Sequence, residues 1–219
     1  MMNAFEQNPP QGGCERQERL LEARRKAFGE DHHETFSAML DLADCLWAQG
    51  RLIAARKLEE QVVEGRRRQL GEQHPETLKA IGKLAVTAGA QGDLEQARRL
   101  QEQVVEGRRV LFGDAHIETL RAINNLAGTI ASQGDLVTAR ELLEAVVASS
   151  CGEFGEQHTD SLAAMSNLAA ILWQEGDTAE AYALQRQVVE MQRRVNGEGH
   201  QATQDAAAVL NMMERDTGF

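Results

Sequence analysis

The sequence predicts an all-α fold, an α-solenoid of about ten helices stacked as antiparallel pairs. The first observation behind this is a scarcity of helix breakers and strand formers among 219 residues. Only Pro9, Pro10 and Pro75 occur, against roughly eleven prolines at average usage, and aromatic residues make up 4% of the chain. Ala, Leu, Gln, Glu and Arg dominate, a helix-forming palette that excludes an all-β fold. The second observation is glycine, abundant at 19 residues yet ordered in two series of constant spacing. Gly29, Gly71, Gly113, Gly155 and Gly197 form one, Gly50, Gly92, Gly134 and Gly176 the other, each step being 42 residues. The third is that other residue types keep the same step: His32, His74, His116, His158 and His200, then Thr35, Thr77, Thr119, Ser161 and Thr203.

Taken in order, residues 1–13 contain Asn-Pro-Pro and Gly-Gly and are expected to form a flexible tail. Residues 14–29 read as the second helix of a pair without its first, with Leu20 and Leu21 at the position of the later Val-Val pairs. Four full units follow, at 35–71, 77–113, 119–155 and 161–197. In each, helix A carries apolar residues at i, i+3, i+4 and i+7, as in Ile123, Leu126, Ala127 and Ile130. It ends at Gln-Gly or Glu-Gly, where glycine can adopt the left-handed conformation of a helix C-terminus. Helix B then starts; Asp93 with Gln96, and Asp177 with Glu180, resemble a reciprocal capping box. It runs through Ala, Leu and Val-Val to the next glycine. Arg66-Arg67-Arg68, Arg108-Arg109 and Arg193-Arg194 sit near the negative end of the B-helix dipole, and Glu34, Glu76, Glu118 and Asp160 near the positive end of helix A. Pro75 suits a first turn. Residues 203–215 read as a capping helix A without its B, with Asn211 and Glu214 on a wet face. Half a unit at each end would cap the array and make the chain a complete domain.

A net charge of −11 argues against a sequence-independent nucleic-acid binder or a binder of anionic membranes. Cys14, Cys45 and Cys151 form an odd set without Cys-x-x-Cys spacing, so neither a disulfide framework nor a thiolate metal site is expected. Cys45 should be a small buried hydrophobe, and Cys14 and Cys151 exposed. With no signal-peptide pattern and no long apolar stretch, a cytoplasmic protein without membrane insertion is expected.

The segment from Leu111 to Val147, with counterparts along nearly the whole chain, resembles the tetratricopeptide repeat in its 42-residue, kinesin-light-chain-like form. Asn124-Asn125-Leu126-Ala127, the Gln-Gly-Asp turn and Gly-x-x-His-x-x-Thr carry the resemblance. It implies a right-handed superhelix whose repeats are not enzymatic and bind a protein or peptide on the concave face of the A helices. Residues 1–13 cannot form the long heptad coiled coil of a light chain, so a literal light-chain role is not expected.

Carried over by position, the resemblance places Ser37, Leu40, Asp44 and Trp47 on the concave stripe of the first unit. Lys79, Gly82, Val86 and Gly89 follow in the second, Arg121, Asn124, Gly128 and Ala131 in the third, and Ala163, Ser166, Ala170 and Trp173 in the fourth. Asn124 matches the family's groove asparagine; Leu40, Gly82 and Ser166 depart from it. Gly82, Gly89 and Gly128 lie inside A helices, where each costs about 1 kcal/mol relative to alanine. A floor of glycine and alanine would let a partner backbone approach, with Trp47 and Trp173 as apolar walls and Lys79 and Arg121 meeting an acidic end. Drift tolerated by a stable array is the competing explanation.

The recurring histidines lie two helix packings apart in successive units, too far to converge on one ion, so no metal or other cofactor is expected. The basic B-helix ends are read as a solvated edge, interrupted at Ala148-Ser149-Ser150-Cys151. No nucleophile constellation, phosphate loop or paired carboxylates occur, so no catalysis is expected. The remaining alternatives are an adaptor binding a peptide or helix in the groove, and a structural subunit packing through convex or end surfaces in a larger assembly.

Overall fold

The computed structural model describes residues 13–217, so residues 1–12 of the expected tail lie outside the described residues. Ten helices occur among the described residues, in the order α1 (Glu15–Phe28), α2 (His33–Ala48), α3 (Leu52–Leu70), α4 (Pro75–Ala90), α5 (Leu94–Phe112), α6 (Ile117–Ser132), α7 (Leu136–Phe154), α8 (Thr159–Glu175), α9 (Thr178–Asn196) and α10 (Gln201–Thr217). The A helices are α2, α4, α6 and α8, the B helices α3, α5, α7 and α9; α1 and α10 are the terminal halves.

The two glycine series are the punctuation. All nine of those glycines have positive φ, between +73° and +96°, and no other residue does among the described residues. Side chains cannot take this geometry cheaply, which fixes the 42-residue spacing.

The Gly-x-x-His-x-x-Thr signature builds the turn from a B helix into the next A helix. The Gly29 N–H donates to the Arg25 carbonyl and closes α1. His32 then caps α2, its Nδ1 accepting the Glu34 N–H at 3.3 Å, and Thr35 Oγ1 donates to the Gly29 carbonyl at 2.7 Å. His74, His116, His158 and His200 accept in the same way from Glu76, Glu118, Asp160 and Ala202. The histidines are therefore N-caps, a task more common for Ser, Thr, Asp and Asn.

The chain divides into two units, residues 1–104 and 105–219, with the boundary inside α5. In the first unit α1 packs on α2, α2 on α3 and α3 on α4. Leu21, Phe36, Met39, Leu42, Val62, Leu78, Ile81 and Leu84 are buried there. In the second, α6 packs on α7, α7 on α8, α8 on α9 and α9 on α10. Leu162, Met165, Val188, Val189 and Ala206 form a core cluster beneath its last pair.

Several expectations are corrected. Cys14 and Cys45 form a disulfide with Cα atoms 5.8 Å apart, joining the start of α1 to α2. Cys14 is buried rather than exposed, and Cys45 is bonded rather than a simple core residue. The basic B-helix ends are not wholly solvated: the Arg66 side chain is 7% exposed, with Nη1 donating to the Glu76 carbonyl at 2.8 Å. Burial pulls its pKa down and Glu76 pushes it back up. Asp93 accepts the Gln96 N–H as expected, but Asp177 makes no side-chain cap; its carboxylate accepts from Arg140 Nη1 at 3.0 Å. Glu214 accepts from the Tyr182 hydroxyl at 3.1 Å instead of facing only water.

Candidate protein-binding face

Each A helix buries a stripe against its B partners and leaves another open, and the open stripe is the candidate site. In the first unit Trp47 is 43% exposed near the end of α2, and Lys79 and Val86 are exposed on α4. Gly82 is half-buried, and a Cβ built on it would meet no atom within 4 Å. The bare backbone there faces open space. A Cβ at Gly89 would stand 3.6 Å from Ala97 Cβ, so this glycine looks toward α5. Leu40, 5% exposed, belongs to the core. Asp44 is paired with Lys83 of α4, whose Nζ lies 2.7 Å from Oδ2. Sequence reasoning missed Lys83, one position beyond the stripe.

In the second unit Gly128 is exposed and its added Cβ would likewise meet nothing within 4 Å. Asn124 Oδ1 accepts from Asn167 Nδ2 at 3.0 Å, linking α6 to α8. Asn167 was not among the expected residues, although Asn125 occupies the same repeat position. Ser166 turns inward, its hydroxyl donating to Oε1 of the fully buried Gln185 at 3.0 Å. Ala170 and Trp173 are half-buried on α8.

Arg121 is already engaged. Its Nε and Nη2 donate to Asp160 Oδ1 and Oδ2 at 2.6 and 3.0 Å, and Nη1 donates to Glu118 Oε1 at 2.9 Å. The Asp160 hydrogen bond, ahead of the other attractions, holds the guanidinium more firmly protonated than usual. A ligand carboxylate meeting Arg121 would compete with two resident carboxylates, whereas Lys79 has no ion-pair partner among the described residues.

Burial raises the pKa of the half-buried Cys151, which disfavours its thiolate. No group of three or more His, Cys, Asp or Glu is arranged to hold a metal among the described residues. No described helix is long and apolar enough to cross a membrane.

Antiparallel helix pairs repeating every 42 residues, with glycine at both turns and one open stripe per A helix, define a helical-repeat protein. The tetratricopeptide repeat model matches residues 5–68, 76–151 and 118–194. The chain belongs to the tetratricopeptide repeat family. No curated protein sequence matches it.

Among solved structures it is similar to the nearly identical TPR-like repeats of a Podosopora anserina protein described as a kinesin light chain. The Q17M form of that protein is 29% identical, with 82% of this chain and 85% of that one covered and a TM-score of 0.70. A second structure of the same repeats gives 29%, 83%, 86% and 0.68. BtubC (BKLC) from P. vanneervenii, at 16% identity, covers 94% of this chain and 83% of its own with a TM-score of 0.75, a likeness of fold.

Proposed function

We propose that the chain is a non-catalytic binding module that takes a peptide or helix of a partner protein on the open stripe of its A helices. Tetratricopeptide repeats are in general protein–protein interaction modules. The observation that carries the finer reading is the pair of mid-helix glycines, Gly82 and Gly128, each with open space above its backbone. Packing does not require either glycine, and each lowers helix stability by about 1 kcal/mol relative to alanine. A surface that keeps them gains room for another backbone. Exposed Lys79 and Val86 flank Gly82 on α4, and exposed Trp47 adds apolar surface on α2.

Gly82→Leu and Gly128→Leu test this without disturbing the core. Partners captured by the wild type should be lost from the double variant at unchanged helicity; an unchanged set overturns the reading. The alternative, a subunit packing through its convex surface, has one observation in its favour. Ile53 and Val137, at one repeat position in α3 and α7, are both exposed. Ile53→Lys and Val137→Lys would then disrupt assembly while the glycine variants would not. A cytoplasmic location is part of the proposal, and fractionation of the tagged chain tests it.

A further inference from the structure

Near its start, a B helix reaches the far end of the following A helix with a side chain at one repeat position. In α3 that residue is Arg56, whose Nη1 donates to Gln91 Oε1 at 2.8 Å and whose Nη2 donates to Asp93 Oδ2 at 3.3 Å, in the turn after α4. In α7 it is Arg140, with Nη1 3.1 Å from Glu175 Oε2 and 3.0 Å from Asp177 Oδ2 at the end of α8. In α9 it is Tyr182, whose hydroxyl donates to Glu214 of α10 at 3.1 Å. Cys14 stands 42 residues before Arg56, and its contact with the end of α2 is the bond to Cys45. The disulfide takes the place of the polar clamp.

The acceptor side has changed with the donor. The turns after α4 and α8 carry Asp93 and Asp177, whereas the turn after α2 carries the exposed Arg51, which would repel an arginine at position 14. Cys45 stands where α4 and α6 have Thr87 and Thr129. Three positions thus depart together from the repeat. Among the described residues no ion pair joins the start of α1 to the end of α2, so no clamp of the usual kind takes over when the bond opens.

The rest of α1 is lightly held. Where α3 buries Ala55, Glu59, Val62, Val63, Gly65 and Arg66, α1 buries Leu21. Leu20, at the repeat position of the fully buried Val62 and Val188, is 40% exposed. Arg24 and Glu34 pair at 3.3 Å with both side chains more than a third exposed, and such a pair contributes little.

We propose that Cys14 and Cys45 form a thiol–disulfide switch that docks α1 on α2 when oxidised and releases it when reduced. Cys14 is buried and Cys45 half-buried, so the Cys45 sulfur is the one open to attack. A monothiol attacks it as the thiolate, the S–S bond breaks, and Cys14 leaves as a thiolate that takes a proton from water. A second monothiol attacks the mixed disulfide and frees Cys45. Two electrons and two protons have then passed to the chain as two new thiols, and the reductant has become its own disulfide. That disulfide reverses the steps. The switch acts at the end of the array and stands apart from the binding-face reading.

The test places the full-length chain in glutathione buffers running from fully oxidised to almost fully reduced. Acid quenching, alkylation in denaturant and mass measurement should show a rise from one thiol, Cys151, to three. Trypsin cleavage after Arg16, Arg19, Arg24, Arg25 and Lys26 reports on α1. It should accelerate at least about tenfold in step with the thiol count, and slow again when oxidised glutathione is restored. Cys14→Ser with Cys45→Ser should be cut at the fast rate in every buffer. Cys14→Arg with Cys45→Thr and Arg51→Asp rebuilds the clamp of the other junctions and should be cut at the slow rate in every buffer. Slow cleavage of the reduced wild type, fast cleavage that persists after reoxidation, or a bond that survives almost fully reduced glutathione would each overturn the switch. Fast cleavage of the triple variant would overturn the equivalence of bond and clamp from which it is argued.

Discussion

The ring of Phe36 lies over the backbone of Gly65 so closely that a Cβ at position 65 would stand 2.2 Å from its Cζ and 2.7 Å from its Cε1. Unlike Gly82 or Gly128, Gly65 is held by packing. At the position of Phe36 the later units carry Leu78, Leu120 and Leu162, and at that of Gly65 the third and fourth carry Ser149 and Met191. The aromatic ring in α2 is matched to the missing side chain in α3. Gly65→Ala should destabilise the first unit by about 1–3 kcal/mol through overpacking, in spite of the better helix propensity of alanine. Adding Phe36→Leu should restore much of the loss. Denaturant unfolding of the two single variants and the double gives the coupling directly; additive effects would show that the ring yields without strain.

Why some relations were legible in the sequence and others not follows from what produces a period. The glycine turns, histidine caps and apolar stripes repeat because each unit solves the same local problem, so spacing alone exposes them. The Phe36–Gly65 fit, the Cys14–Cys45 bond and the Arg121–Asp160 pair occur once, each joining residues from different helices. Arg66 pairs with Glu76 in the first turn of the following helix, as Arg24 does with Glu34 and Arg108 with Glu118, a contact between helices that the dipole of its own helix does not indicate. On the candidate face, the family resemblance carried over by position put Trp47, Lys79, Val86 and Gly128 on the stripe, and all four are exposed. It could not tell that Leu40 and Ser166, at the edge of the stripe, turn toward the core and Gln185.

Glu59 is a buried carboxyl on α3 whose Oε1 accepts the Thr87 hydroxyl at 2.9 Å and whose Oε2 has no hydrogen-bond partner among the described residues. Burial raises its pKa, against the smaller opposing effects of Thr87 and Lys83. The folded state therefore holds the proton more tightly than the unfolded one. Stability from this group is greatest below the unfolded glutamate range and falls as pH rises through the higher folded value. Gln101 and Gln185 occupy the same repeat position without a charge. Glu59→Gln should stabilise the first unit at pH 7 by on the order of 1 kcal/mol, with the gain shrinking toward pH 4. Urea titrations across that range would show a pH-independent difference if the carboxyl were ordinarily solvated.

His116 caps α6 through Nδ1, 3.2 Å from the Glu118 N–H, and its ring stacks on Phe112 with centroids 4.6 Å apart. His116→Ala removes both interactions and should cost the second unit about 1 kcal/mol or slightly more. Asn supplies a capping oxygen without the ring, so His116→Asn should recover the capping part and leave only the stacking loss. Thermal unfolding of the three proteins separates the two contributions. Equal losses in both variants would assign the role of the histidine to the stack alone.

The Cys14–Cys45 disulfide closes a span of 31 residues, while Leu21 is the buried residue within α1. A helix with one buried side chain docks weakly by packing, so the covalent link should carry much of its attachment to α2. Loop-closure entropy for a span of this length corresponds to about 3–4 kcal/mol. Reduction with dithiothreitol, or Cys14→Ser with Cys45→Ser, should therefore release α1 before the rest of the first unit. Amide exchange across 15–28 should accelerate strongly, with smaller change in α3 and none in α8 and α9. Unchanged protection of α1 after reduction would show instead that Leu21, the Arg24–Glu34 ion pair and the Gly29–Thr35 turn hold it in place.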